Sequence, residues 1–374
     1  MKKIYKLLKK IFFLLKRRIL LTFKLYPKYK ILYLSSHTIL EYDELKILRN
    51  LGHFVFSPGA GRRNLRPIPK FTALEKKLFT QFNHLADKNL HINNNPMRLF
   101  TLKSRLSKKF IDNFDLVIIM HYPEWIIDNW SNLKHKKIIW RSIGQSNPEI
   151  ENRLQKYRAD GLKIIRYSPL EKNLLNYIGH DEIIRFYKDN KEFDGWTGNL
   201  KKVMTISQEM KLRSNACHYD TYQKITSNIP SMLFGFGNKK TKKVAGETNY
   251  ENLKKQLKTH RCFLYTGTYP ASYTLAFIEA WMTGIPIIAI GNKLMHDRFP
   301  NQKLYEIPDL IENGKNGYCL DNISEIKKTI KVLLEDKKLA KKISKEGRKS
   351  AIEFFGETQA KEKWLIFLYN CMGK

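Results

Sequence analysis

Residues 266–291 read TGTYPASYTLAFIEAWMTGIPIIAIG. One acidic residue, Glu279, sits inside an otherwise apolar run, and a Gly-Ile-Pro turn and a β-rich stretch, 285–290, follow at once. The preceding loop, 266–274, is rich in glycine, proline and hydroxyls. This is the pattern of strand, loop, helix, turn and strand. A helix that starts behind a small-residue loop offers backbone N–H groups to an anion. A carboxylate one to two turns along can accept hydrogen bonds from sugar hydroxyls. The arrangement suits a nucleotide diphosphate, with phosphate near Thr266, Gly267, Ser272, Tyr273 and Thr274 and ribose on Glu279. Taken alone, Glu279 reads more readily as a solvated helix residue; its setting reverses that preference.

The stretch resembles the donor-binding motif of retaining GT-B glycosyltransferases of the family-four group. There a loop precedes Leu-Glu-Ala-Met-Ala-x-Gly-x-Pro-Val-Val, and residues 278–288 (IEAWMTGIPII) match it with conservative drift. A second signature of that group, Glu-Ile-x-x-x-Ile-x-x-Gly-x-x-Gly, is matched downstream by 305–318 (YEIPDLIENGKNGY). The resemblance covers roughly the last third of the chain. It implies an α/β fold of two Rossmann-like, doubly wound domains. It also implies sugar transfer from a nucleotide-diphosphate donor as co-substrate, with no cofactor; the lack of a DxD-like acidic pair at a strand end points to a reaction without a metal. Retaining transfer of this kind needs no protein nucleophile; the site must supply cations and N–H groups to the departing diphosphate. Two departures stand out. The position eight before Glu279, a glutamate in the group, is Ala271, and the usual Arg-x-x-x-x-Lys pair is not evident. Lys211 and Arg213 are the nearest candidates for the phosphate cations.

At 374 residues the chain is long enough for two domains. Its 43% hydrophobic and 12% aromatic content is that of a globular protein. The net charge of +33 would draw anionic partners: membrane surface, nucleic acid, sugar nucleotide or lipid phosphate. Cys217, Cys262, Cys319 and Cys371 are scattered, without the spacing of a zinc site or a disulfide framework, which fits a reducing cytoplasm. Residues 1–30 hold eleven lysines and arginines and no acid, with Ile4, Leu7, Leu8, Ile11, Leu14, Leu15 and Ile19 at helical spacing. The apolar runs are far shorter than the ~20 residues of a membrane span. A basic amphipathic helix at the inner face of an anionic membrane is expected. A helix packed on its own domain and a nucleic-acid contact are the alternatives.

Alternating strands and helices predict one domain over 31–190, with strands at 31–35, 53–57, 115–120, 137–141 and 162–167. Ligands bind beyond the carboxyl ends of such strands. This places Ser36, His37, His121, Glu124 and Gln145 on the acceptor side. His121 would be a sugar-contacting or catalytic residue, or merely a packed one; Glu124 would be a base or a helix-start carboxylate. The polar stretch 188–199 predicts a boundary, and a second domain spans 200–356. Within it, 215–226 reads as one helix, 239–246 as a basic loop, and Ser324 as a helix cap. A terminal helix over 357–374 crosses back to the first domain in the resembled group. The acceptor would be a glycan or lipid-linked sugar. A nucleic-acid-modifying glycosyltransferase and a non-catalytic nucleotide-sugar-binding scaffold remain the competing readings.

Overall fold

A computed structural model describes residues 26–35, 37–58, 72–85, 105–144, 146–297 and 303–373. Most of the predicted basic helix, together with Ser36 and Gln145, lies outside these residues.

The first sheet comprises β1 (Lys30–Leu34), β2 (Phe54–Phe56), β3 (Leu116–Met120), β4 (Lys137–Arg141), β5 (Lys163–Arg166) and β6 (Glu182–Ile183). Its order is β2-β1-β3-β4-β5-β6, all parallel. β3 is wholly apolar and buried (LVIIM), as expected of a strand covered on both faces by crossover helices. The second sheet comprises β7 (Leu200–Ile206), β8 (Ser231–Phe234), β9 (Val244–Gly246), β10 (His260–Tyr265), β11 (Ile287–Ile290) and β12 (Tyr318–Leu320). It is again parallel, in the order β12-β11-β10-β7-β8-β9, so the chain reverses direction of growth between β7 and β10. Such a switch point opens a crevice at the carboxyl ends of the strands. The doubly wound α/β architecture expected from sequence is therefore present in both halves.

One apolar cluster runs from Ile31 and Ile118 through Tyr167, Phe186 and Tyr273 to Trp364, joining both sheets and the last helix. That helix, Glu357–Met372, packs on the Thr38–Asn50 helix and on β6, and Lys363 pairs with Glu182 at 2.8 Å. Inside the first domain, Arg166 grips Glu151 with two 2.7 Å hydrogen bonds, both side chains fully buried. This locks the Pro148–Ala159 helix to β5.

Three local readings change. The predicted helix 215–226 is two, Ser214–Cys217 and Tyr219–Thr226, because His218 takes a left-handed conformation at φ 53°. The basic stretch 239–246 contains β9, since Val244 and Gly246 find edge partners on β8. Asn322, not Ser324, caps the Ile323–Glu335 helix, its side chain accepting from the N–H groups of Ser324 and Glu325.

Candidate active site

The quoted stretch folds as its pattern suggests. Thr274 caps the Leu275–Thr283 helix, accepting the Phe277 N–H, and Gly284 closes it at φ 91°. Every helix residue from Phe277 on is buried, Glu279 included. The loop ahead of the helix is anchored from below. The Thr266 hydroxyl donates to Cys217 O at 2.9 Å, and the Tyr269 N–H donates to Ala216 O at 2.8 Å. These bonds hold the short helix Ser214–Cys217, and Arg213 just before it, against the donor loop. Gly267 (φ 75°) leaves room for Met295, which a β-carbon would meet at 2.2 Å. Lys211 is exposed and lines a groove of about 1210 Å³ with Leu212, Tyr219, Lys224, Gly237 and Lys239.

Other predicted donor residues serve a different surface. The Ser272 N–H donates to the Tyr167 hydroxyl at 2.6 Å, and the Tyr273 hydroxyl donates to Tyr167 O at 2.6 Å. Tyr167 follows β5 in the first domain, so Ser272 and Tyr273 form part of the joint between domains. The Ser272 hydroxyl is buried without a partner among the described residues. Beside it, Glu306 of the second signature accepts from Ser168 Oγ at 2.5 Å and from Arg185. Arg185 lies over the rings of Tyr273, Phe354 and Phe355.

On the first domain, His37 caps the Thr38–Asn50 helix, its Nδ1 accepting the Leu40 N–H at 3.3 Å. Burial, with the nearby charges of Lys188 and His121 adding to it, lowers its pKa to about 4. His121 leaves β3 at φ 71°, with its N–H on Arg141 O at 2.9 Å, and burial lowers its pKa against the pull of Glu124. The two imidazoles thus stand neutral near one another at the strand ends. Glu124 opens the Glu124–Leu133 helix and accepts from Arg153 at 2.8 Å. Its other carboxylate oxygen, Oε2, is buried without a partner among the described residues.

Sequence reasoning missed two residues. Lys188, fully buried, places its Nζ 2.9 Å from Asp43 and 2.7 Å from Glu279. Arg141, at the end of β4, donates from Nε to Glu44 at 2.8 Å and lies over the Phe186 ring, while Nη1 and Nη2 have no partner among the described residues. Neither belongs to a local motif. The only signal available was a charged residue next to an apolar run: Arg141 closes KIIWR and Lys188 follows IIRFY.

Residues 235–350 match the family described as Glycosyl transferases group 1. No curated protein matches the chain in sequence. Among solved structures, a glycosyltransferase from Rickettsia africae ESF-5 aligns over 93% of this chain and 100% of its own, at 16% identity and a TM-score of 0.62. Anabaena Alr3699/HepE in complex with UDP-glucose aligns over 91% and 100%, at 12% identity and 0.59. An alpha-glucosyltransferase in complex with UDP-glucose and DNA containing an abasic site aligns over 91% and 100%, at 10% identity and 0.55. At such identities the likeness speaks for the fold. Joined to the group 1 match, which covers β9 to β12 and the helices among them, it makes this chain a glycosyltransferase of GT-B architecture.

Proposed function

We propose that the chain takes a sugar from a nucleotide-diphosphate donor and passes it, with retention and without a metal, to a glycan or lipid-linked acceptor at the inner face of a membrane. The observation that carries the donor half is Glu279, a carboxylate on the second turn of a helix that starts from a hydroxyl-rich loop beyond β10. Two solved proteins of this fold hold UDP-glucose, which supports the donor class. Leaving-group charge would fall to the helix N-terminus and to Arg213 or Lys211. Arg213 is the better placed, because its helix is bonded to the donor loop at Thr266 and Tyr269. His121 and His37 would face the acceptor as neutral hydrogen-bonding groups.

The membrane half rests on residues 1–30 and the +33 charge. No helix among the described residues is long and apolar enough to cross a membrane. The same charge favours a second reading, in which a nucleic acid is the acceptor.

A thermal-shift panel of UDP-, GDP- and ADP-sugars tests the donor, since a ligand of the folded state raises the melting temperature. Glu279→Ala should weaken binding of the active donor by about 1.5–3 kcal/mol, the range for hydrogen bonds to a charged group. Unchanged affinity in a folded variant would remove Glu279 from the site.

A further inference from the structure

Asp43, Lys188 and Glu279 form a short chain of buried charge that bridges the two domains. Asp43 lies on the Thr38–Asn50 helix of the first domain, Lys188 on the connector after β6, and Glu279 on the Leu275–Thr283 helix of the second. The lysine is fully buried, and the two carboxylate side chains are 6% and 8% exposed. Its backbone is fixed as well: the Lys188 N–H donates to Phe355 O at 3.0 Å, and the next residue, Asp189, pairs with Lys46 at 2.7 Å. Arg348 reaches Asn190 O, Phe193 O and Met282 O, tying the same connector to the end of the Glu279 helix.

A buried ammonium is tolerated only when its partners are in place, and removing one partner leaves an uncompensated charge. The orientation of Glu279 therefore depends on a residue outside its own domain. We propose that Lys188 is a positioning residue for donor binding, a role that rests on the donor reading of Glu279 given above. Lys188 holds the Glu279 carboxylate in one rotamer by its 2.7 Å contact, an orientation from which the carboxylate accepts hydrogen bonds from the vicinal hydroxyls of a ribose. Through Asp43 it makes that arrangement depend on the joint between the domains. Asp43 thus contributes to donor affinity from the domain that carries none of the donor motif.

The test uses the full chain and measures binding of UDP, GDP and ADP by calorimetry, with donor hydrolysis as the turnover readout. Lys188→Met should weaken the nucleotide that binds the wild type by about tenfold or more, and Asp43→Asn by about three- to tenfold, through loss of charge-assisted hydrogen bonds. Lys188→Arg should restore most of the affinity. The effect should appear in KM for the donor, with kcat at saturation nearly unchanged. Asp43→Asn combined with Glu279→Gln should bind no worse than Glu279→Gln alone, because both act through one chain. Wild-type affinity in Asp43→Asn or in a folded Lys188→Met, tighter binding in either, or additive losses in the double variant would overturn the role of Lys188. Should Lys188→Met fail to fold, the near-isosteric Asp43→Asn and the double variant decide. If no nucleotide binds the wild type, the donor reading itself fails. If Glu279→Ala weakens binding while both partner variants do not, only the present inference falls.

Discussion

Burial gives charged side chains at this site definite partners and gives the histidines a definite protonation state. Glu279 answers to Lys188, Glu306 to Ser168 and Arg185, and Arg141 to Glu44. His37 and His53 are each held neutral mainly by burial, with pKa values of about 4 against 6.5 for the free side chain. As pH falls from 6.5 to 4, the unfolded chain takes up protons that these folded-state imidazoles refuse. The stability they support is complete above pH 6.5 and declines below it. Each accounts for at most about 3 kcal/mol across that window, at 1.36 kcal/mol per pKa unit. Urea unfolding of the wild type should therefore show a lower midpoint at pH 5 than at pH 7. His37→Asn keeps a side-chain acceptor at the helix cap but removes one titration, so its pH dependence should be shallower. An equally steep dependence would show that His37 is not held neutral in the fold.

At the scale of elements, close approach of two helices shapes the second domain. Gly347 sits in the Lys337–Phe355 helix where it meets the Leu275–Thr283 helix. A β-carbon there would stand 2.8 Å from Asn316 O and 2.9 Å from Trp281 Nε1, atoms that are themselves hydrogen-bonded at 3.1 Å. Alanine is the better helix former, but the neighbours are a backbone carbonyl and a packed indole with little room to yield. Gly347→Ala should destabilise the protein by about 1–3 kcal/mol, the usual cost of overpacking. A melting temperature equal to or above wild type would show that the contact relaxes. Element boundaries followed the same logic. The strand over 137–141 was legible because an unbroken apolar run is bounded by a lysine and an arginine. The break at His218 was not, because no glycine or proline marks a left-handed residue that tertiary contacts impose.

For the whole molecule, the charge distribution sets the prediction. Each lysine or arginine close to an anionic surface is worth about 1 kcal/mol, and burial of an apolar helix face adds to it. Deleting residues 1–24 should release the protein from anionic liposomes in a flotation assay and leave donor binding intact. Added salt should weaken full-length binding without abolishing it, since apolar burial is not screened. Equal liposome binding with and without the segment would end the membrane proposal. Salt-sensitive binding to DNA with none to liposomes would favour the nucleic-acid acceptor instead.

The sequence alone determined the alternating α/β architecture, the second domain's motif and the helix that carries Glu279. Those features are written in contiguous residues: a strand of LVIIM, a Thr cap, a Gly-Ile-Pro turn. Only the tertiary structure decided what Glu279 and the donor loop touch. Lys188 is 91 residues from Glu279 and 145 from Asp43, and Tyr167 is 105 from Ser272. Ion pairs and hydrogen bonds act over a few ångströms, while the chain brings such residues together only after both sheets have formed and docked. No local periodicity records that meeting, so the partners of the central carboxylate became visible only in the folded molecule.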